Sequence, residues 1–242
     1  MYLENLVFDC RDQFRLGRFW ADALGATEIT NNADGYEARL TVGDDLYLDL
    51  CFGPPTEPVR TDTPRLHLDL LGGDHQQQVV ERLLTLGATR RDDPGDTDLP
   101  WTVLRDPEGN PFCVMEDRPE YRRTGPIAAI PIDSSDPRRD ADFYAEFTGW
   151  RPAPGHRGIP SLRHPSGVGP LLEFCEELAP KDQKNQLHLD VRRESADPPL
   201  DELIARVTDL GGALLEHDWG ELPWTVFVDP SGNEFCILPA SD

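Results

Sequence analysis

Residues 99–113 read LPWTVLRDPEGNPFC, and residues 222–236 read LPWTVFVDPSGNEFC. Eleven of these fifteen positions are identical, which chance does not explain. Upstream, LHLDL at 66–70 matches LHLDV at 187–191, so the order and nearly the spacing are kept. Further out the likeness fades. GRFWADALGAT at 17–27 pairs with ADFYAEFTGWR at 141–151, and LYLDLCF at 46–52 pairs with LLEFCEE at 171–177. Self-similarity at a fixed offset means that one folding unit occurs twice. The units are placed at 1–118 and 126–242, joined by residues 119–125. The stretch around the join, DRPEYRRTGP at 117–126, carries two prolines and a basic cluster and reads as a short surface linker.

Inside each unit the apolar pattern runs through the same motif twice. Leu3 to Phe8 is a short apolar run suited to a strand. Asp12 is placed to cap a helix whose apolar face is Leu16, Phe19, Trp20, Ala23 and Leu24, and Gly25 suits its end. Strands are expected at 36–42 and 45–52 around Gly43-Asp44. The pattern restarts at Leu66. A strand is followed by a helix capped by Asp74, with Val79, Val80, Leu83, Leu84 and Leu86 on one face and Gly87 as its stop. Strands at 88–92, 101–105 and 111–116 follow, the last two joined by a type I turn at Asp106-Pro107-Glu108-Gly109. The second unit repeats this, its helices opening at Asp136-Pro137 and Pro198-Pro199. The chain is therefore expected to be α+β: four βαβββ modules in curled mixed sheets, with helices on the convex face.

Strand alternation assigns faces. In Leu46–Cys51 the leucines share one face and Tyr47, Asp49 and Cys51 the other. In Leu66–Leu70 the leucines oppose His67 and Asp69. Leucines belong under the helices, so the polar sets fall on the concave face, which outlines a ligand cleft.

Composition narrows the function classes. The net charge is −22, which disfavours nucleic acid and anionic lipid as partners and suits solubility. No secretory leader or transmembrane run is visible, so the expected location is cytoplasmic. Five cysteines in such a chain are expected as thiols. No P-loop, GxGxxG fingerprint, nucleophile elbow or CxxC pair is present.

Four βαβββ modules, a helix ending FW..LG, a strand beginning HLD, and W.V..DP.GN.FC together resemble the vicinal oxygen chelate superfamily of glyoxalases, bleomycin-resistance proteins and dioxygenases. The resemblance is closest to its glyoxalase-like domains, here in tandem, and it covers nearly the whole chain. It implies a U-shaped sheet around a divalent ion, with ligands from the first and last strands of two modules. Carried onto this sequence, the first-strand position falls on Asn5 and Ala129, neither an ordinary ligand. The last strand of the first module in each unit supplies Asp49 and Glu173. The next module supplies His67 and His188, and the closing position is Cys113 and Cys236. A set of carboxylate, imidazole and thiolate suits Zn²⁺ better than the two-histidine, one-carboxylate iron set. Mn²⁺, Fe²⁺ and Ni²⁺ stay open beside it, as does the absence of any cofactor.

Each candidate has a plainer role beside the functional one. His67 and His188 are metal ligands or strand histidines bonded to their Asp69 and Asp190 neighbours, which in the functional reading orient the imidazole. Cys113 and Cys236 fit small buried hydrophobes better than ligands. Trp101 and Trp224 pack or stack on a ligand. Tyr47, Asp49 and Glu173 complete the expected cleft. Three functions remain open. The first is binding of a small molecule in the concave sheet. The second is a metal-dependent lyase, isomerase or transferase acting on a substrate with vicinal oxygens. The third is one live unit supported by a degenerate partner. Four modules in one chain can reproduce a dimer internally, so both monomer and homodimer are open, as is whether each unit closes its own cleft.

Overall fold

The computed structural model describes residues 1–33, 35–44, 46–57, 64–91 and 99–241. Its elements follow the βαβββ order four times. The first module holds β1 (Tyr2–Asp9), α1 (Gln13–Leu24), β2 (Thr27–Asn32), β3 (Gly35–Val42) and β4 (Leu46–Gly53). The second holds β5 (Asp69–Leu71), α2 (Gln76–Leu86), β6 (Thr89–Arg90), β7 (Thr102–Arg105) and β8 (Pro111–Met115). The third holds β9 (Ile127–Ser134), α3 (Pro137–Thr148), β10 (Arg151–Ala153), β11 (Ser161–Arg163) and β12 (Leu171–Glu176). The fourth holds β13 (Leu187–Arg192), α4 (Leu200–Asp209), β14 (Ala213–Leu214), β15 (Thr225–Val228) and β16 (Glu234–Leu238). Residues 45 and 92, at the ends of two expected strands, lie outside the described residues.

Local chemistry sets most boundaries. The Asp12 carboxylate accepts from the Arg15 amide, and that of Asp136 from the Arg139 amide, each satisfying one of the orphan donors of a first helical turn. Asp74 does not cap α2 as expected. A 3₁₀ turn at Gly73–His75 intervenes, and the cap position falls on His75 without a side-chain bond. The expected strand at 66–70 is also shortened. Its partner across the sheet is Pro131, which has no N–H to donate, so pairing there reduces to the His67 amide on the Pro131 carbonyl and one bridge at Leu66.

The repeated DP.GN segments are self-bonded turns. Asp106 Oδ1 accepts from the amides of Glu108 and Asn110 while Oδ2 takes the Asn110 side chain, and Asp229 is bonded in the same way by Ser231 and Asn233. Gly109 and Gly232 hold φ of 93° and 87°, where a side chain would be strained. Each turn reaches the helix of the preceding module. Glu108 accepts from the amides of Arg11 and Asp12 before α1, and Tyr144 of α3 donates to Asp229.

The modules do not pair within their own repeat. One sheet runs β14-β15-β16-β13-β1-β4-β3-β2 and joins the first module to the fourth; we call it sheet A. The other, sheet B, runs β10-β11-β12-β9-β5-β8-β7-β6 and joins the third to the second. The seam of sheet A is the antiparallel pair β1–β13, and that of sheet B is β9–β5. The core faces of both sheets share one apolar cluster with the helices, including Leu6, Trp20, Leu50, Phe112, Ile130, Phe143, Leu172 and Phe235. The rings of Trp20 and Phe112 meet edge to face at 5.0 Å, which fixes the first module against the second. The opposite face of each sheet carries its own small cluster, so the molecule has two concave faces, cleft A and cleft B.

Candidate functional site

Register decides which side chains meet on each concave face. In sheet A, Asn5 of β1 lies beside Asp49 of β4 and opposite Asp190 of β13, which lies beside Cys236 of β16. The row Asp49–Asn5–Asp190–Cys236 therefore crosses the sheet and draws on both repeats. His188 lies two residues along, opposite Val7. In sheet B the matching row is Leu171–Ala129–Asp69–Cys113, with His67 again one step removed. One open question is answered here and one expectation changes. The first-module positions Asn5 and Asp49 face the His188, Asp190 and Cys236 of the other repeat. And Glu173 does not match Asp49, because it pairs with Pro131, one step beyond the row that Asp49 occupies in sheet A. The weak likeness of LYLDLCF to LLEFCEE carries no signal that could reveal this offset.

Cleft A opens into a cavity of about 460 Å³ reached by Asn5, His188, Asp190, Trp219, Trp224 and Cys236. Most of its charges are paired. Lys184 bonds Asp9, and Lys181 bonds Glu234. Arg192 donates to Glu4 at 2.5 Å. Arg39 grips Asp49 through two parallel bonds of 2.7 and 2.6 Å, and its guanidinium lies 4.0 Å above the Tyr47 ring. Asp49 is thus held by a fork-on-carboxylate pair rather than left open.

Asp190 is bonded less completely. It is buried, at 7 % relative exposure, and one oxygen accepts from the Asn5 amide at 3.1 Å. The other, Oδ1, has no hydrogen-bond partner among the described residues, nor has Nδ1 of His188, while His188 Nε2 stands 3.5 Å from that oxygen. Burial pushes the Asp190 carboxyl up to about 7 against the pull of its bonds from Asn5 and Cys236. Burial, with Lys184 nearby, pushes His188 down to about 3, so the imidazole is neutral. The Cys236 thiol is raised well above its ordinary value by burial and by Asp190. Ligand atoms of His188, Asp190 and Cys236 all lie within 4.8 Å of one another. At the rim, Trp224 is 40 % exposed, and the Trp219 ring stacks on His217 at 4.7 Å.

Cleft B has the equivalent trio, His67, Asp69 and Cys113, also within 4.8 Å. It is covered. Residues 116–124, which include most of the stretch 117–126 read from sequence as a surface linker, run across it. Tyr121 is 1 % exposed and packs on Val103, Cys113, Met115, Ala129 and Leu171. Arg118, also buried, donates to the Tyr121 hydroxyl at 2.9 Å and to Glu116 at 2.6 Å, and lies 5.5 Å over the Trp101 ring. The Thr124 hydroxyl ties back to the Tyr121 carbonyl, and Arg163 holds the carbonyls of Glu120 and Arg122. The signal missed in the sequence was an aromatic residue in a segment otherwise polar.

The electrostatics of the two histidines differ. Burial opposes protonation of His67, but the Asp69 carboxylate 3.3 Å away, together with Asp133 and Glu173, outweighs it and raises the imidazole. Glu173 is pushed up to about 7, by burial first and then by Asp69.

A family model for the glyoxalase-like domain matches residues 5–115 and again 129–238. The chain belongs to the glyoxalase-like domain family. Its plan of four modules is that of the vicinal oxygen chelate superfamily. Among solved structures it is similar to glyoxalase I from Zea mays, with 16 % identity, a TM-score of 0.69, and coverage of 98 % of this chain and 92 % of that one. A single-site variant of the maize protein matches at 17 % identity and TM-score 0.67, covering 98 % and 93 %. A putative dioxygenase from Bacillus subtilis matches at 13 % identity and TM-score 0.58, covering 100 % and 86 %. At these identities the likeness concerns the fold. No curated protein matches the sequence. No described helix of this glyoxalase-like protein is long and apolar enough to cross a membrane.

Proposed function

We propose that this glyoxalase-like protein binds a small molecule in cleft A, between the first and fourth modules. The observation that carries the reading is the pair of unpartnered buried atoms, His188 Nδ1 and Asp190 Oδ1, in a cleft whose neighbouring charges are mostly paired. Leaving a buried polar atom without a partner costs about 1–3 kcal/mol, a cost that a ligand supplying a donor or an electrophile removes. Apolar walls at Phe52, Leu222 and Trp224 suit a ligand with an apolar body, and two tryptophans at the mouth suit a planar one.

A second reading is favoured by the trio of His188, Asp190 and Cys236. A neutral imidazole, a carboxylate oxygen without a partner and a thiol within 4.8 Å fit a divalent metal, and the sulfur favours Zn²⁺ among the candidates. The raised thiol must release its proton to solvent as its thiolate binds such an ion. Asp49 is not offered to it, being held by Arg39. When bound, a metal would supply Lewis-acid polarisation of a substrate oxygen, the chemistry of a lyase, isomerase or transferase. In that case Asn5 orients Asp190, and the cavity excludes bulk water around the substrate.

Elemental analysis of untagged protein purified without chelator, beside His188→Ala, separates the two. One equivalent of metal lost in the variant establishes the metal reading. No metal, and no uptake of added Zn²⁺, Mn²⁺, Fe²⁺ or Ni²⁺, sinks it and leaves cleft A to be screened with organic ligands by thermal shift. If no compound in a broad metabolite panel then moves wild type more than Asp190→Leu, small-molecule binding fails too.

A further inference from the structure

Cleft B is not simply apolar core. Asp69 and Glu173 are buried on or beside its floor, and Asp69 Oδ1 and Glu173 Oε1 both lack a well-formed hydrogen bond, the His67 ring standing 3.3 Å from the first. Buried carboxylate oxygens are normally hydrogen-bonded, so two such exceptions in one cleft call for an explanation. The substitutions between the two clefts show what was built. Where β1 of cleft A carries Glu4 and Asn5, bonded to Arg192 and Asp190, β9 of cleft B carries Ala128 and Ala129. The matching position to Arg192 is Leu71. A slip in register between β5 and β9 at this point turns both alanines toward the concave side, where both join the cluster around Tyr121. Methyl groups in place of long polar chains leave room for a ring, and Arg118 stands at the hydroxyl end of that ring with Nη1 donating at 2.9 Å.

We propose that cleft B is a phenol-binding site that the chain occupies with its own Tyr121, and that Arg118 is the group that recognises the hydroxyl. The occupant is carried in on residues 116–124 and pinned by Arg163 and Thr124. Each chain then presents one open cleft and one filled in cis. This holds whether cleft A takes an organic ligand, a metal, or neither.

The test uses the full chain with Tyr121→Gly and two probes of equal shape, p-cresol and toluene, followed by thermal unfolding. In the variant, p-cresol at millimolar concentration raises the melting temperature, and toluene does so at least tenfold less potently. In wild type the same concentrations produce no shift attributable to cleft B. Any wild-type response belongs to cleft A and is subtracted. Equal stabilisation by toluene would make cleft B a plain apolar cavity and overturn the proposal, as would no response to either probe in a folded variant. Should Tyr121→Gly fail to fold, Tyr121→Phe keeps the ring and removes only the hydroxyl. A loss of about 3–8 °C is expected there, because a buried guanidinium N–H loses its acceptor. The loss should vanish when Arg118→Met is the background. A melting temperature within about 1 °C of wild type for Tyr121→Phe would overturn the proposal by itself, being well below the shift that losing a buried hydrogen bond produces.

Discussion

Cleft A and cleft B descend from the same repeated sequence, yet one is open and the other is filled. Trp224 and Trp101 make the point most clearly. They occupy the same place in LPWTV, but Trp224 is among the most exposed large apolar side chains, while Trp101 lies beneath the Arg118 guanidinium. The histidines of the two HLD strands diverge as well, His67 raised by Asp69 and His188 lowered by burial. The motif fixes the strand and the turn. What lies across the concave face fixes the chemistry, and in cleft B that is the segment between the repeats.

The comparison can be broken most forcefully by removing the two aromatics in turn. Tyr121→Ala should lower unfolding free energy by about 3–5 kcal/mol, the range for truncating a buried aromatic residue. Trp224→Ala should cost under about 1 kcal/mol, because that ring already meets solvent. Equal losses in urea denaturation would mean that cleft B is no more closed than cleft A.

Arg39→Met probes the paired charges of cleft A. It strands the Asp49 carboxylate on a mostly buried strand, and a loss of about 1–3 kcal/mol is expected, moderated by the solvent that reaches Arg39. Asp49→Asn in the same background should recover part of it; no recovery would show that Arg39 acts through packing on Tyr47 instead.

A contrast of a different kind is read from acidity in metal-free protein. NMR titration should find His67 still protonated at its ordinary midpoint of about pH 6.5 and His188 neutral down to about pH 3. The sign for stability follows. His188, depressed in the folded state, contributes stability that is present above about pH 6.5 and is lost as pH falls toward 3, at up to about 1.4 kcal/mol per pH unit. His67, raised, contributes stability that is full below about pH 6.5 and is lost as pH rises through its folded value. A His188→Gln variant should flatten the acid limb. If both histidines titrate together near their ordinary value, the contrast between the clefts is wrong.

The fold was legible because its signals are local. Asp12 and Asp136 cap, Gly25 and Gly87 stop, and the DP.GN turns bond to themselves, all within a few residues. The site was only half legible for the opposite reason. That Asn5 faces Asp190 depends on a pairing between strands 185 residues apart, which alternation within a strand cannot report. Arg39 was unreadable as the partner of Asp49 until the hairpin register was known. Tyr121 was hidden by its neighbours, since Arg122 and Arg123, which follow it, are the solvent-facing residues that made the segment look like a linker.

The crossed sheets also impose an order in time. Sheet B uses residues 69–176 without interruption, whereas the strands of sheet A come from 2–53 and 187–238 and enclose it like a pair of brackets. As the chain emerges during synthesis, the inner sheet has all its strands while β1 still waits for β13. Closing that seam joins strands far apart in the chain, and long-range pairing of this kind is slow to form. The open cleft therefore cannot be completed until the fourth module has emerged.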